Sequence, residues 1–316
     1  KGSSTRTLVL EDAEVPVENL LGEKGRGHII AFNILNVGRY KLAIGGVGGA
    51  KVALEVATKY VNERKQFNKP ISSFTLTQEK LGTMASAIYA NESAVYRTVG
   101  LFEQRMGSLS EEQLKDGREV AKAIAEYQIE CSMNKYMCTE LLDYVVDEAV
   151  QMHGGYGYMQ EYEVERMYRD SRINRIFEGT NEINRLLVPG TLLKKALKGE
   201  LPLLEKAQGM QEELLMMMPT EIGDEPLELQ KYLVKNAKKM VLLAAGIAAQ
   251  KYMQQIEHEQ EILANLADMV AEIYNMESAI LRTEKAINRN GIEKNKQKLL
   301  YTEVYVQEAF NRIEAD

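Results

Sequence analysis

From His28 onward the chain repeats apolar side chains every three or four residues, the spacing of a helix face, over most of its length. Residues 28–65 form one long helical pattern, about 55 Å at 1.5 Å per residue. Gly45, Gly46, Gly48 and Gly49 sit inside it, each lowering helix propensity relative to alanine. They point either to close approach by a backbone or ligand, or to a tight helix crossing. Asn68, Lys69, Pro70 and the polar run to Thr77 read as a loop. A second helix is expected from about Thr77 to Arg105. A third is expected from about Ser110 to His153, on the stripe Val120, Ile124, Tyr127, Cys131, Cys138, Leu141 and Val145, with Gly154, Gly155 and Gly157 stopping it. Shorter helices follow near 161–171 and 181–198. The only convincing β region is residues 5–17, where Arg6 to Leu10 reads as a strand and Val15-Pro16-Val17 ends an extended segment. An isolated strand pair is marginal in water, so its sheet partners are expected to lie outside this chain.

Gly199-Glu200-Leu201-Pro202 is the best domain boundary. Beyond it the stripes become nearly heptad: Val234 to Ala248, Ile262 to Ile280, and Leu299 to Ile313. With an apolar segment near 203–218 they predict an up-down bundle. Leu214 to Met218 reads as a core helix end before Pro219, or as a flexible apolar contact for lipid or a partner. The fold class is therefore mainly α: two consecutive helical bundles preceded by a short β remnant. The expected domains are 1–25, a β remnant and linker; 26–199, the first bundle; and 200–316, the second.

Composition narrows function by exclusion. The 316 residues are 45% hydrophobic and 27% charged, with a net charge of −7 and both signs mixed, which gives no nucleic-acid footprint. No apolar run reaches transmembrane length. The 2 cysteines are seven residues apart on one helical pattern, too far for a disulfide, and read as core residues. Cysteine this sparse points to a reducing compartment. The 3 histidines show no metal-ligand spacing. The chain opens at Lys1 in mid-motif, which is read as a piece of a longer protein.

The most informative run is Arg175-Ile176-Phe177-Glu178-Gly179-Thr180-Asn181-Glu182. It sets one carboxylate between bulky apolar side chains and a Gly-Thr turn at a helix start. A carboxylate partly stripped of water holds protons more tightly and can act as a base near neutral pH. The plain alternative is a helix N-terminal carboxylate favoured by the dipole. By the same plain reading Arg39 and Arg64 are solvated helix-face charges, and Gly154-Gly155 is a helix stop.

Four segments, in order and at sensible spacing, tip the balance. They are Glu11-Asp12 through Gly22; Leu35-Asn36-Val37-Gly38-Arg39 followed by Glu63-Arg64-Lys65-Gln66-Phe67; Gln151 through Tyr158; and Arg169-Asp170 with Arg175 to Glu182. Together they resemble the C-terminal portion of acyl-CoA dehydrogenases, and the Ile176 to Asn181 phrase with the added bundle is most similar to the very-long-chain branch. The resemblance implies an FAD-dependent α,β-dehydrogenation of long-chain fatty acyl-CoA to trans-2-enoyl-CoA, in fatty acid β-oxidation. Glu178 would be the α-proton base, with hydride passing to the flavin and the Glu178 backbone N–H helping to hold the thioester oxygen. Asn36, Arg39 and Gly179 match substrate-side positions. Arg64, Gln66 and Phe67, with Gln151, Gly154 and Gly155, match contacts to the FAD of a neighbouring subunit; Thr180 and Glu182 match contacts to the FAD of their own subunit. No metal is implied.

Two departures stand out. Some branches carry the base at the position of Gly38, which cannot serve here, favouring the straight-chain type. Asn68 stands where a glycine usually follows the phenylalanine. The implied partners are fatty acyl-CoA, electron-transfer flavoprotein and a second copy of the chain, with a dimer favoured. The implied compartment is the cytoplasm in a bacterium or the mitochondrial matrix in a eukaryote. An acyl-CoA oxidase that passes electrons to oxygen, and a helical scaffold derived from the same fold, are the alternative readings.

Overall fold

The structure, a computed structural model, describes residue 4 and residues 6–203, 205–207, 209–210, 222–223 and 225–316. Most of the segment at 203–218, including Leu214 to Met218, lies outside the described residues.

Helix α1 (Gly27–Glu63) is followed by a small hairpin, β1 (Lys65–Gln66) and β2 (Lys69–Pro70), and then by α2 (Thr75–Gly107). Three pieces come next: α3 (Glu111–Lys115), α4 (Gly117–Ala125) and α5 (Gln128–His153). Helices α6 (Glu163–Ser171) and α7 (Asn181–Leu197) complete the first half. The second half contains α8 (Glu228–Tyr252), α9 (Gln260–Asn290) and α10 (Lys296–Ala315).

Two expectations fail for identifiable reasons. The strand at Arg6–Leu10 does not form: residues 6–16 lack regular structure and have exposed side chains, and Leu8 is 83% exposed. A strand needs a hydrogen-bonded neighbour, and none stands beside this segment among the described residues. The third helix is broken by its own caps. Ser110 and Gln113 make a reciprocal capping box that starts α3, and the Asp116 side chain accepts from the Arg118 N–H at 2.8 Å to start α4. The loop at 67–70 is in turn more ordered than expected. Phe67 and Asn68 have φ of 51° and 64°, the geometry of a tight two-residue hairpin turn. Asparagine tolerates this left-handed region, so Asn68 fits the turn.

The first core lies between α1, α2 and α5. Helix α1 meets α5 through small residues, Ala43, Gly46, Ala50, Ala53 and Ala57, all on its buried face. A Cβ on Gly46 would lie 2.6 Å from the Cys138 carbonyl oxygen, whereas Gly45 and Gly48 face open space. Cys131 and Cys138 are buried, and burial pushes the Cys131 thiol up to about 12, as expected of core residues.

The second core joins Tyr89 and Ala90 of α2 to the stripes of α8, α9 and α10. A third, smaller one sets Ile129, Met133 and Tyr136 of α5 and Val188 of α7 against Ala267 and Ala271 of α9. Helix α2 thus serves both halves, and α9 seats directly on α5 and α7. No described helix is long and apolar enough to cross a membrane.

Candidate functional site

Glu178 sits in a turn that two helices hold from either side. Its φ is 58° and that of Gly179 is 82°, two consecutive residues in the left-handed region. For a glutamate this conformation is strained and persists only when the surroundings fix it. Arg39 on α1, 7% exposed, donates from Nε to the Glu178 carbonyl at 3.2 Å and from Nη1 to Asn36 Oδ1 at 3.4 Å. Burial lowers the Arg39 pKa from its ordinary value, with Cys131 and the Glu178 charge acting the other way. Asn184 on α7 donates to the Gly179 carbonyl at 2.8 Å and to the Thr180 carbonyl at 3.0 Å. The Thr180 hydroxyl accepts from the Ile183 N–H at 3.4 Å and caps α7.

The Glu178 side chain turns back onto α1. Its Oε2 is closed off from solvent and has no hydrogen-bond partner in the protein. A Cβ at Gly38 would lie 2.5 Å from that oxygen, so a larger residue there would push the carboxylate out of this position. Positions 38 and 178 thus address one point in space. Asn36, Arg39, Glu178, Gly179 and Thr180 are brought together here, while Glu182, in the first turn of α7, is exposed.

A second region lies far along α1. A groove of about 650 Å³ is lined by Arg64, Gln66, Gln151, Gly154, Gly155 and Tyr156, among others. The Arg64 guanidinium rests over the Tyr156 ring, 5.4 Å from its centre. His153 forms the floor, stacked on Tyr60 with centroids 4.0 Å apart, and burial lowers its pKa. Phe67 stays apart from this groove. It is 87% exposed at the hairpin tip, edge-on to Phe74. Arg39 on α1 and Arg64, just past its end, are 25 residues apart, roughly 37 Å at 1.5 Å per residue.

Residues 25–193 match the family model described as the acyl-CoA dehydrogenase C-terminal domain, and residues 236–316 match a second model of the same description. The chain belongs to the acyl-CoA dehydrogenase family. It is 68% identical over 315 residues to a probable acyl-CoA dehydrogenase of Bacillus subtilis, covering 100% of this chain and 53% of that protein. It is 32% identical over 323 residues to the mouse (Mus musculus) mitochondrial very long-chain specific acyl-CoA dehydrogenase, covering 95% of this chain and 46% of that one. An acyl-CoA dehydrogenase from Bacillus anthracis, solved in complex with FAD, superposes with a TM-score of 0.94 at 69% identity, over 97% of this chain and 52% of that chain. The acyl-CoA dehydrogenase chain described here therefore spans about half the length of these relatives.

Several residues of the site were passed over in the sequence. Lys135 on α5 is fully buried, and its Nζ donates to the Gly179 carbonyl at 2.9 Å and to Asn181 Oδ1 at 2.6 Å. It falls four residues after Cys131 and three before Cys138, on the very stripe that marks the buried face of α5. A lone cation on such a stripe is a readable signal. Arg185 on α7 is the second omission. It forks onto Glu140 with two bonds of 2.7 Å and onto Asp268 of α9 at 2.8 and 2.9 Å. Its partners are 45 and 83 residues distant in sequence, which no local pattern announces.

Proposed function

We propose that the full-length protein is an FAD-dependent acyl-CoA dehydrogenase acting on long straight acyl chains, with Glu178 as the α-proton base. The observation that carries this reading is the Glu178 Oε2, enclosed against Gly38 with no protein group bonded to it. A carboxylate kept from hydrogen bonds has its lone pairs available for a proton. Arg39 and the Gly179 turn hold it by its backbone, leaving the side chain to react.

The α-proton of an acyl thioester leaves only if the developing enolate is stabilised. A backbone N–H aimed at the thioester oxygen does this without reorganisation, and the Glu178 N–H is assigned that part. Gly179, lacking a side chain, leaves room for the thioester beside the turn. Asn36 and Arg39 line the α1 side and orient neighbouring polar groups. The coverage of the very long-chain relative across both bundles supports the long-chain class.

The groove residues fit an adenine dinucleotide. Arg64 offers a guanidinium fork suited to a pyrophosphate, Gln66 and Gln151 offer amides, and Gly154 and Gly155 bring backbone close to the groove. Bound FAD would accept the hydride lost from the substrate β-carbon. The roughly 37 Å between Arg39 and Arg64 supports the view that the groove holds the cofactor of a second copy, while Thr180 and Glu182 contact their own. Phe67, exposed at the hairpin tip, is placed to meet that second copy.

The domain limits are proposed as 1–25, 26–199 and 200–316, the assembly as a dimer of full-length chains, the electron acceptor as electron-transfer flavoprotein, and the compartment as the cytoplasm. The functional test is product formation. Full-length protein with palmitoyl-CoA and electron-transfer flavoprotein is expected to yield trans-2-enoyl-CoA faster than with butyryl-CoA. Absence of enoyl product from every acyl-CoA would refute the reading, and peroxide release in place of flavoprotein reduction would reassign it to an oxidase.

A further inference from the structure

The buried ammonium of Lys135 has no place in the chemistry above. Taking a cation out of water is unfavourable by several kcal/mol unless its hydrogen bonds are replaced. Lys135 makes no direct ion pair among the described residues. Its acceptors are the Gly179 carbonyl at 2.9 Å and Asn181 Oδ1 at 2.6 Å, on the two residues that frame Thr180. Asn181 is itself anchored by donating to Glu140 Oε1 at 2.9 Å and to Thr139 Oγ1 at 3.1 Å. Next to this, Arg39 donates to the Glu178 carbonyl at 3.2 Å. Two cations, from α1 and α5, therefore grip two successive carbonyls of the strained turn.

We infer that Lys135 is a positioning residue: by holding the Gly179 carbonyl it keeps Glu178 in its left-handed conformation and aims its carboxylate at the substrate α-carbon. This rests on the assignment of Glu178 as the base. Without the Lys135 grip, Asn184 remains on the Gly179 carbonyl and Arg39 on the Glu178 carbonyl, and the strained Glu178, held by fewer bonds, relaxes toward negative φ, which swings its Cβ and carboxylate away from Gly38. A displacement of about 1 Å at a reacting group can lower a rate on the order of 100-fold. Lys135 is fully buried with its Nζ bonded to the Gly179 carbonyl and Asn181 Oδ1, so its loss is expected to slow the proton-abstraction step and leave acyl-CoA binding largely in place.

The test uses full-length protein loaded with FAD. Wild type, Glu178→Gln, Lys135→Met and Lys135→Arg are compared for flavin content, kcat per bound flavin, KM for palmitoyl-CoA, and the isotope effect with α-dideuterated palmitoyl-CoA. Lys135→Met is expected to keep its flavin, lose kcat by about 100-fold with KM changed less than about threefold, and show a larger isotope effect. Lys135→Arg, which keeps the donors, is expected to recover much of the rate. A crystal structure of Lys135→Met should show Glu178 outside the left-handed region. Unchanged kcat per flavin and unchanged isotope effect in Lys135→Met would overturn the inference, even if the variant melts earlier. Should the methionine variant not fold, the same quantities on Lys135→Gln decide, with the same two outcomes. An active Glu178→Gln would instead defeat the base assignment beneath it.

Discussion

A methyl group on Gly38 would lie 2.5 Å from Oε2 of Glu178. That contact ties a helix residue to a turn residue 140 positions later and explains why α1 carries a glycine there. Gly38 has ordinary helical geometry, so Gly38→Ala should raise helix propensity by about 1 kcal/mol. It should nonetheless displace the carboxylate and cut kcat of the full-length enzyme by about 100-fold. Turnover per flavin beside a urea melt checks both halves. Undiminished turnover would mean that the carboxylate does not work from where it is seen.

The crossing of α1 and α5 makes a contrast within one glycine cluster. Gly46→Ala drives a methyl group to 2.6 Å from the Cys138 backbone carbonyl, which cannot move aside as a side chain would. A loss of roughly 1–3 kcal/mol is expected. Gly48→Ala faces open space and should be neutral or stabilising by up to about 1 kcal/mol. Urea midpoints of the two variants distinguish a specific crossing from a generally intolerant helix.

The Arg185 fork gives a pH dependence. Burial opposes the Arg185 charge, but hydrogen bonds and charge from Glu140 and then Asp268 overturn this and raise its pKa. One positive charge cannot neutralise two carboxylates. Glu140 is held below its ordinary value despite burial, whereas burial pushes Asp268 up to about 6, only partly offset by Arg185. Between about pH 4 and 6 the folded chain keeps a proton on Asp268 that the unfolded chain has lost. Ionising Asp268 therefore detracts from stability as pH rises through that window. The stability of Asp268→Asn relative to wild type should improve from pH 4.5 to pH 7. Urea midpoints at the two pH values measure this, and a shift the other way would show that the Asp268–Arg185 pair is net stabilising when ionised.

The 316 residues by themselves are expected to bind FAD weakly and not to turn over acyl-CoA, because they span about half the length of the relatives they match. Stoichiometric yellow cofactor on the purified chain would contradict this. For the full-length protein, light scattering should report a dimer, and a stable tetramer would refute that assembly.

Much of this architecture is legible in residue order. The long α1, the α2 span and the three stripes of α8 to α10 follow from three- and four-residue steps, because each such stripe needs a partner face. The breaks at Ser110 and Asp116 were also written in the sequence as caps, but a long apolar stripe masks short interruptions. The strand at Arg6–Leu10 is the exception because β propensity is a statement about fitting a sheet, and among the described residues no sheet receives it. At the site, Glu178 announced itself through its neighbours, whereas the Arg185–Asp268 pair depends on how α9 docks, which only the packing reveals. Lys135 lay between these cases, visible on the buried stripe of α5 but without a partner that sequence could name.

The central claim is that Glu178 removes the α-proton. Full-length wild type and Glu178→Gln, each carrying FAD, are mixed with palmitoyl-CoA in the absence of oxygen while the flavin absorbance is followed. The assignment predicts bleaching in wild type and none in the variant on the same timescale. Bleaching in both would place the base elsewhere and contradict the account.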